Sequence, residues 1–184
     1  MTLMQIVTAA VVAAPGIPYA IQRLFLDAPR ATEVRVRLVA CGICHTDLAM
    51  QASEDRAPKP IVLGHEGAGV VEAVGAEVSG LNVGDHVLMT FASCGACIAC
   101  QSSRSAYCRD MTALNFGGAR RDRTTSLRDE QGRVVHSHFF GQSAFASHAN
   151  VDASSLVKVD SDVPLETLAP LGCGIQTGAG AIVN

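Results

Sequence analysis

The stretch Glu33-Val34-Arg35-Val36-Arg37-Leu38-Val39-Ala40 alternates charged and apolar side chains, and two residues later it runs into Gly42-Ile43-Cys44-His45-Thr46-Asp47. Val34, Val36 and Leu38 fall on one face and Glu33, Arg35 and Arg37 on the other, the period of two that marks a half-buried strand. The turn that follows gathers a thiol, an imidazole, a hydroxyl and a carboxylate in four consecutive residues. A rigid strand that delivers a donor at its end is how a metal geometry is held, so the chain is read outward from Cys44 in search of its partners.

Gly64-His65-Glu66-Gly67 and Leu171-Gly172-Cys173-Gly174 offer the best distant donors. Cys44, His65 and Cys173 make a candidate Cys2His set, and three protein ligands with an open fourth position characterise catalytic zinc. A second set is local: Cys94, Cys97, Cys100 and Cys108 are spaced 3, 3 and 8 residues apart, and four thiolates can close tetrahedrally on one ion. The two sets differ in charge. Zinc with two thiolates and a neutral imidazole is formally neutral, whereas four thiolates leave it doubly negative, so the open site is the better place for a bound oxygen to develop negative charge.

Around these sites the sequence predicts a mainly β chain with short helices. Residues 6–14 form an apolar run read as a buried strand. They lie far short of a membrane span, and no Lys or Arg precedes them as a signal peptide requires. Residues 61–74 read as a strand interrupted by Gly64, Gly67 and Gly69, and residues 87–91 as another, which together predict a barrel-like arrangement of short strands. Residues 109–135 are polar and read as an excursion with a hairpin turn near Gln131-Gly132, and residues 148–151 and 156–159 are strand-like. Asp162 is read as a helix cap with Pro164 in the first turn, leading to Cys173. The terminal Gly172–Gly180 run imitates a dinucleotide fingerprint, but such a fingerprint follows a strand and is answered by an acidic residue about 20 positions later, and the chain ends at Asn184.

With 184 residues, 48% of them hydrophobic and 17% charged, the chain is long enough for one packed domain. A net charge of −3, with no basic block beyond Arg120-Arg121-Asp122-Arg123, gives no footprint for nucleic acid or an anionic membrane. Seven cysteines at metal-ligand spacing, an odd number, argue against a disulfide framework and for a reducing, cytoplasmic setting.

Five stretches together resemble the zinc-dependent medium-chain alcohol dehydrogenases, nearest the aryl-alcohol (benzyl alcohol) branch with geraniol-type enzymes close by. They are residues 42–48, 64–75, 94–108, 139–145 and 170–178, in that order along nearly the whole chain. The resemblance implies a GroES-like, partly open β-barrel over residues 1–184, with a structural-zinc lobe at Cys94, Cys97, Cys100 and Cys108 and a catalytic zinc on Cys44, His65 and Cys173. It also implies an NAD-binding Rossmann domain beyond the point where this chain stops, and a parent enzyme that is a homo-oligomer oxidising a small apolar alcohol to its aldehyde. By position, Thr46 resembles the hydroxyl that receives the substrate proton, Asp47 the partner of a ligand, and Glu66 a carboxylate near the zinc. His45 and Thr177 resemble cofactor contacts, and Phe139 and Phe140 substrate-pocket residues.

Each role has a plainer alternative. For Asp47 it is a cap on the following turn, and for the phenylalanine pair it is plain core, each second to the role above. The Cys41-Gly42-Ile43-Cys44 pair admits a redox role, though no thioredoxin-like context surrounds it. A departure from the family lies at Ala49, where many relatives place a histidine that completes a proton relay. A zinc-stabilised binding or scaffold module is the competing function. A zinc hydrolase is disfavoured because His65-Glu66-Gly67-Ala68-Gly69 lacks the second histidine of a His-Glu-x-x-His helix.

Overall fold

The computed structural model describes residues 4–183. Its strands are β1 (Gln5–Val12), β2 (Ala20–Leu26), β3 (Glu33–Gly42), β4 (Ile61–Val62), β5 (Glu66–Val74), β6 (His86–Met89), β7 (Leu127–Arg128), β8 (Val134–Val135), β9 (His148–Asp152) and β10 (Leu156–Val159). Five short helices interleave them: α1 (His45–Ala52), α2 (Ile98–Gln101), α3 (Met111–Phe116), α4 (Leu165–Leu168) and α5 (Gly174–Val183).

The strands form two five-stranded sheets, in the orders β4-β1-β2-β7-β8 and β10-β6-β5-β3-β9. All their pairings are antiparallel. Residues 145–147 stitch the sheets into a nearly closed barrel. Ala10 N donates to Phe145 O, Ser147 N to Thr8 O, and Leu38 N to Ser147 O. Alternation along β1 sends Val7, Ala9 and Val11 into one core with Leu24, Leu26 and Val62, while Val34, Val36, Val71, Val87 and Val151 fill the other.

The half-buried reading of β3 needs correction at its start. Glu33, Val34, Arg35 and Val36 are all buried. Glu33 takes two bonds from Arg120, at 2.6 and 2.9 Å, and Arg35 reaches Gln5, Asn150 and the carbonyl of Asp27. Charged side chains are tolerated inside because remote segments supply partners for their polar atoms.

The hairpin predicted near Gly132 forms between β7 and β8, with Gly132 at a φ of 76°. The polar excursion also contains α3, which the sequence reading did not find. Asp162 does not cap α4. Pro164 takes the N-cap position with extended ψ, and its carbonyl accepts from Thr167 N at 3.1 Å. The glycine-rich run at the C-terminal end is α5, preceded by a 3-10 turn over Ala169–Gly172 and by Cys173 rather than by a strand. Among the described residues no helix is long and apolar enough to cross a membrane.

Candidate metal centre

Helix α1 starts immediately after Cys44, whose extended backbone leaves its N–H outside the helix. Asp47, three residues on and fully buried, folds back so that Oδ2 accepts from Cys44 N at 3.0 Å. Its other oxygen accepts from Gly64 N at 3.0 Å and lies 2.9 Å from His65 Nδ1. One carboxylate therefore both caps α1 and meets His65 Nδ1, which ties the Cys44 turn to the His65 loop. Gly64 also lets Phe145 pack closely against this loop. Its φ is 90°, and a Cβ there would lie 2.5 Å from Phe145 N.

The sulfur of Cys44, the imidazole of His65, a carboxylate oxygen of Glu66 and the sulfur of Cys173 all come within 4.8 Å of one another. His65 is buried and its Nε2 has no hydrogen-bond partner. A buried ring nitrogen left unpaired is costly, and a metal ion among the neighbouring donors would satisfy it. Burial pulls the His65 pKa down, but the Asp47 hydrogen bond and charge, with Cys44, outweigh this and leave it above its ordinary value. Burial pushes the Cys44 thiol up, yet the N–H and hydroxyl of Thr46, together with His65, hold it below the usual range. Cys173 is pushed up to about 12 by burial and then by the charge of Cys44. Two sulfurs competing for one negative charge around an unpaired imidazole is the condition a divalent cation relieves, and two thiolates with one imidazole suit zinc.

The neighbouring residues have distinct places. Thr46 Oγ1 sits 3.7 Å from Cys44 Sγ. Glu66 is buried, with Oε1 accepting from Gly174 N at 3.1 Å, beside Cys173. His45 is exposed at the first position of α1, and Thr177 is exposed on α5. Cys41 stands outside both donor sets, and burial pushes its thiol up to about 12, which disfavours the thiolate a redox pair needs.

The phenylalanine pair divides. Phe140 stacks on the His65 ring, centroids 4.4 Å apart and planes 26° from parallel. It also lines a cavity of about 330 Å³ together with Phe91, Met111, Cys173, Gln176 and Thr177. Phe139 meets His65 edge-on at 5.6 Å but is fully buried among Val12, Met50, Ile61 and Leu63, so it is core and not cavity wall. The sequence reading missed Phe91, Met111 and Gln176. Phe91 ends the apolar run that predicted β6, whereas Met111 lies in a polar stretch that gave no signal.

The four cysteines of the local set also converge within 4.8 Å. Cys97 N approaches Cys94 Sγ and Cys94 N approaches Cys108 Sγ, each at 3.2 Å, and Asp110 N lies 3.4 Å from Cys108 Sγ. Backbone N–H groups directed at sulfur stabilise thiolates, and those of Arg109 and Cys100 lower Cys97 to about 6. This set offers four sulfurs, whereas the first offers two sulfurs, an imidazole and a carboxylate oxygen, with Cys173 in the wall of the Phe140 cavity.

Residues 30–161 match the family model described as the alcohol dehydrogenase GroES-like domain. The chain is 48% identical over 176 residues to geraniol dehydrogenase of Castellaniella defragrans, covering 96% of this chain and 47% of that protein. Among solved structures, an alcohol dehydrogenase zinc-binding domain protein from Burkholderia ambifaria shares 53% identity with a TM-score of 0.96, over 99% of this chain and 49% of the other. Benzyl alcohol dehydrogenase from Acinetobacter calcoaceticus shares 44% identity with a TM-score of 0.92, over 98% and 48%. The chain spans about half the length of the relatives it matches.

Proposed function

Because the chain belongs to the alcohol dehydrogenase GroES-like domain family, we propose that it is the metal- and substrate-binding part of an oxidoreductase that converts an apolar primary alcohol, aryl or terpenoid, to its aldehyde with NAD as hydride acceptor. The observation that carries this reading is the convergence of Cys44, His65 and Cys173, with an unpaired His65 Nε2, beside an apolar cavity. Zinc held by these three residues supplies Lewis acidity, which lowers the pKa of a bound water from about 15.7 to about 7 and acts on an alcohol in the same way.

The chain's own residues do the rest. Asp47 holds the His65 Nδ1 proton, which fixes the tautomer that leaves Nε2 free as a donor. Thr46, whose hydroxyl adjoins Cys44 Sγ, takes up the alcohol proton as it gives its own to the cofactor ribose and so to solvent, because Ala49 offers no imidazole for the relay. His45 and Thr177, both exposed, contact the cofactor. Cys94, Cys97, Cys100 and Cys108 hold a second, structural zinc. Phe91, Met111 and Phe140 exclude water and receive the apolar tail of the substrate.

A tail that buries about 100 Å² more apolar surface than ethanol gains about 2.5 kcal/mol, about 70-fold in kcat/KM. In a protein that carries this domain together with a dinucleotide-binding domain, kcat/KM for benzyl alcohol or geraniol should exceed that for ethanol by this order. A preference for ethanol would overturn the substrate assignment, and elemental analysis finding fewer than two zinc ions per chain would overturn the metal assignment.

A further inference from the structure

Residues 138–143 form the most strained segment described. His138, Phe140 and Ser143 have positive φ values of 60°, 51° and 59°, as does Gly141 at 71°. Left-handed backbone at non-glycine residues is unfavourable and persists only where the surroundings enforce it. Ser143 pins the knot, its hydroxyl donating to Val62 O at 2.6 Å and accepting from Phe139 N at 3.0 Å. One product of this strain is Phe140 over His65. The other is Gln142, which is 2% exposed and whose amide meets backbone alone.

The amide of Gln142 bridges a gap in the sheet. Strands β5 and β6 pair at Ala68 with Leu88, Gly69 with Val87 and Val70 with His86, and the ladder stops before Gly67. There Gln142 Oε1 accepts from Gly67 N at 3.1 Å, while Nε2 donates to His65 O at 3.0 Å and reaches Thr90 O at 3.5 Å. The side-chain amide takes the place of a missing peptide group between the diverging strands. It holds the backbone on both sides of Glu66. Gly67 leaves room for it, because a Cβ there would lie 2.7 Å from Met89 Sδ and 3.0 Å from Gln142 Oε1.

Thr90 is also gripped from the other side. Gln176 Nε2 lies 3.3 Å from Thr90 Oγ1 and donates to the carbonyl of Gly172, the residue before Cys173. We propose that Gln142 and Gln176, meeting at Thr90, are positioning residues that set the spacing of His65 and Cys173 and so tune the metal affinity of the open site without touching the ion. The inference rests on the reading of Cys44, His65 and Cys173 as a metal set.

The test is titration of the 184-residue chain, its closed site kept loaded with zinc, with cobalt(II) read by visible absorption, and competition for zinc at both sites by a chromophoric chelator. It compares wild type with Gln142→Met, which keeps length but no hydrogen bond, Thr90→Val, and Thr90→Ser, which restores the hydroxyl. The expected result is an open-site Kd raised about 10- to 100-fold in Gln142→Met and Thr90→Val, the usual cost of losing a group that orients a ligand. Closed-site affinity should be unchanged and Thr90→Ser should match wild type. A merely structural role would weaken both sites together. If Gln142→Met does not fold, shown by circular dichroism, Gln142→Glu, which keeps the acceptor for Gly67 N and loses the donor to His65 O, takes its place with the same expected loss of open-site affinity. Wild-type open-site affinity in the folded variants would overturn the positioning role alone. A wild-type chain that binds no cobalt at the open site would overturn the metal reading and the inference with it.

Discussion

Asp47→Asn is the most informative single substitution, because Asp47 is fully buried and three donors converge on its carboxylate: Cys44 N, Gly64 N and His65 Nδ1. Asparagine keeps the shape. Its carbonyl oxygen can replace Oδ1 toward Gly64 and His65, but its NH2 then faces the N–H of Cys44, donor against donor. One hydrogen bond to a charged group is lost outright, a cost of about 1.5–3 kcal/mol, and the other two lose their charge assistance. Asp47→Ala strips all three donors of their acceptor and should cost about 3–5 kcal/mol, as expected when one partner of a buried charged pair is removed. Urea unfolding of the zinc-loaded chain measures the stability, and zinc competition at the open site measures the local effect, expected as an affinity about 10- to 100-fold lower in Asp47→Asn. If Asp47→Asn stays within about 0.5 kcal/mol of wild type, the range of an inconsequential surface change, and binds zinc as tightly, the carboxylate does not join the two ligand loops as argued.

Two further outcomes follow from the same structure. Burial pushes His138 down to about 4, reinforced by Arg120, against an ordinary value near 6.5. The unfolded chain therefore takes up a proton below about pH 6.5 that the folded chain refuses until about pH 4, so stability should fall by about 3 kcal/mol across that window and then level off. Denaturation at a series of pH values should show a shallower slope in His138→Asn, and an unchanged slope would refute the assignment. Cys97→Ser should destabilise the chain far more than Cys173→Ser, since binding at a closed structural site is worth about 10–16 kcal/mol in small zinc peptides at neutral pH. Equal losses of stability on thermal unfolding would contradict the division of the two sites.

What could be read in the sequence depended on how far apart the cooperating residues lie. Cys94, Cys97, Cys100 and Cys108 occupy one short segment, and their spacing alone marks a site. The apolar run of β1 and the alternation along β3 mark strands for the same local reason. The burial of Glu33 and Arg35 was not legible, because Arg120 and Asn150, which make it tolerable, are 87 and 115 positions away. Nor was α3, six residues in a polar stretch, whose Phe116 packs against Phe140 while Met111 enters the cavity wall. Gln142 was visible as a letter but not as a peptide mimic, since its role exists only where β5 and β6 part. The start of α4 carried no side-chain signal either, because the Pro164 carbonyl, and not the Asp162 side chain, accepts the first N–H there.

The two donor sets also differ in when they can exist. Cys94 and Cys108 are 14 positions apart, so the lobe around them can close as soon as that segment leaves the ribosome. Cys44 and Cys173 are 129 positions apart, a separation about nine times greater, and loop-closure entropy alone sets their encounter back by about 2 kcal/mol relative to the lobe. No half-made chain can assemble the open site, because Cys173 lies beyond every strand of the barrel. A metal ion at the closed set would therefore belong to the first steps of folding, whereas one at the open set would report that the barrel is complete.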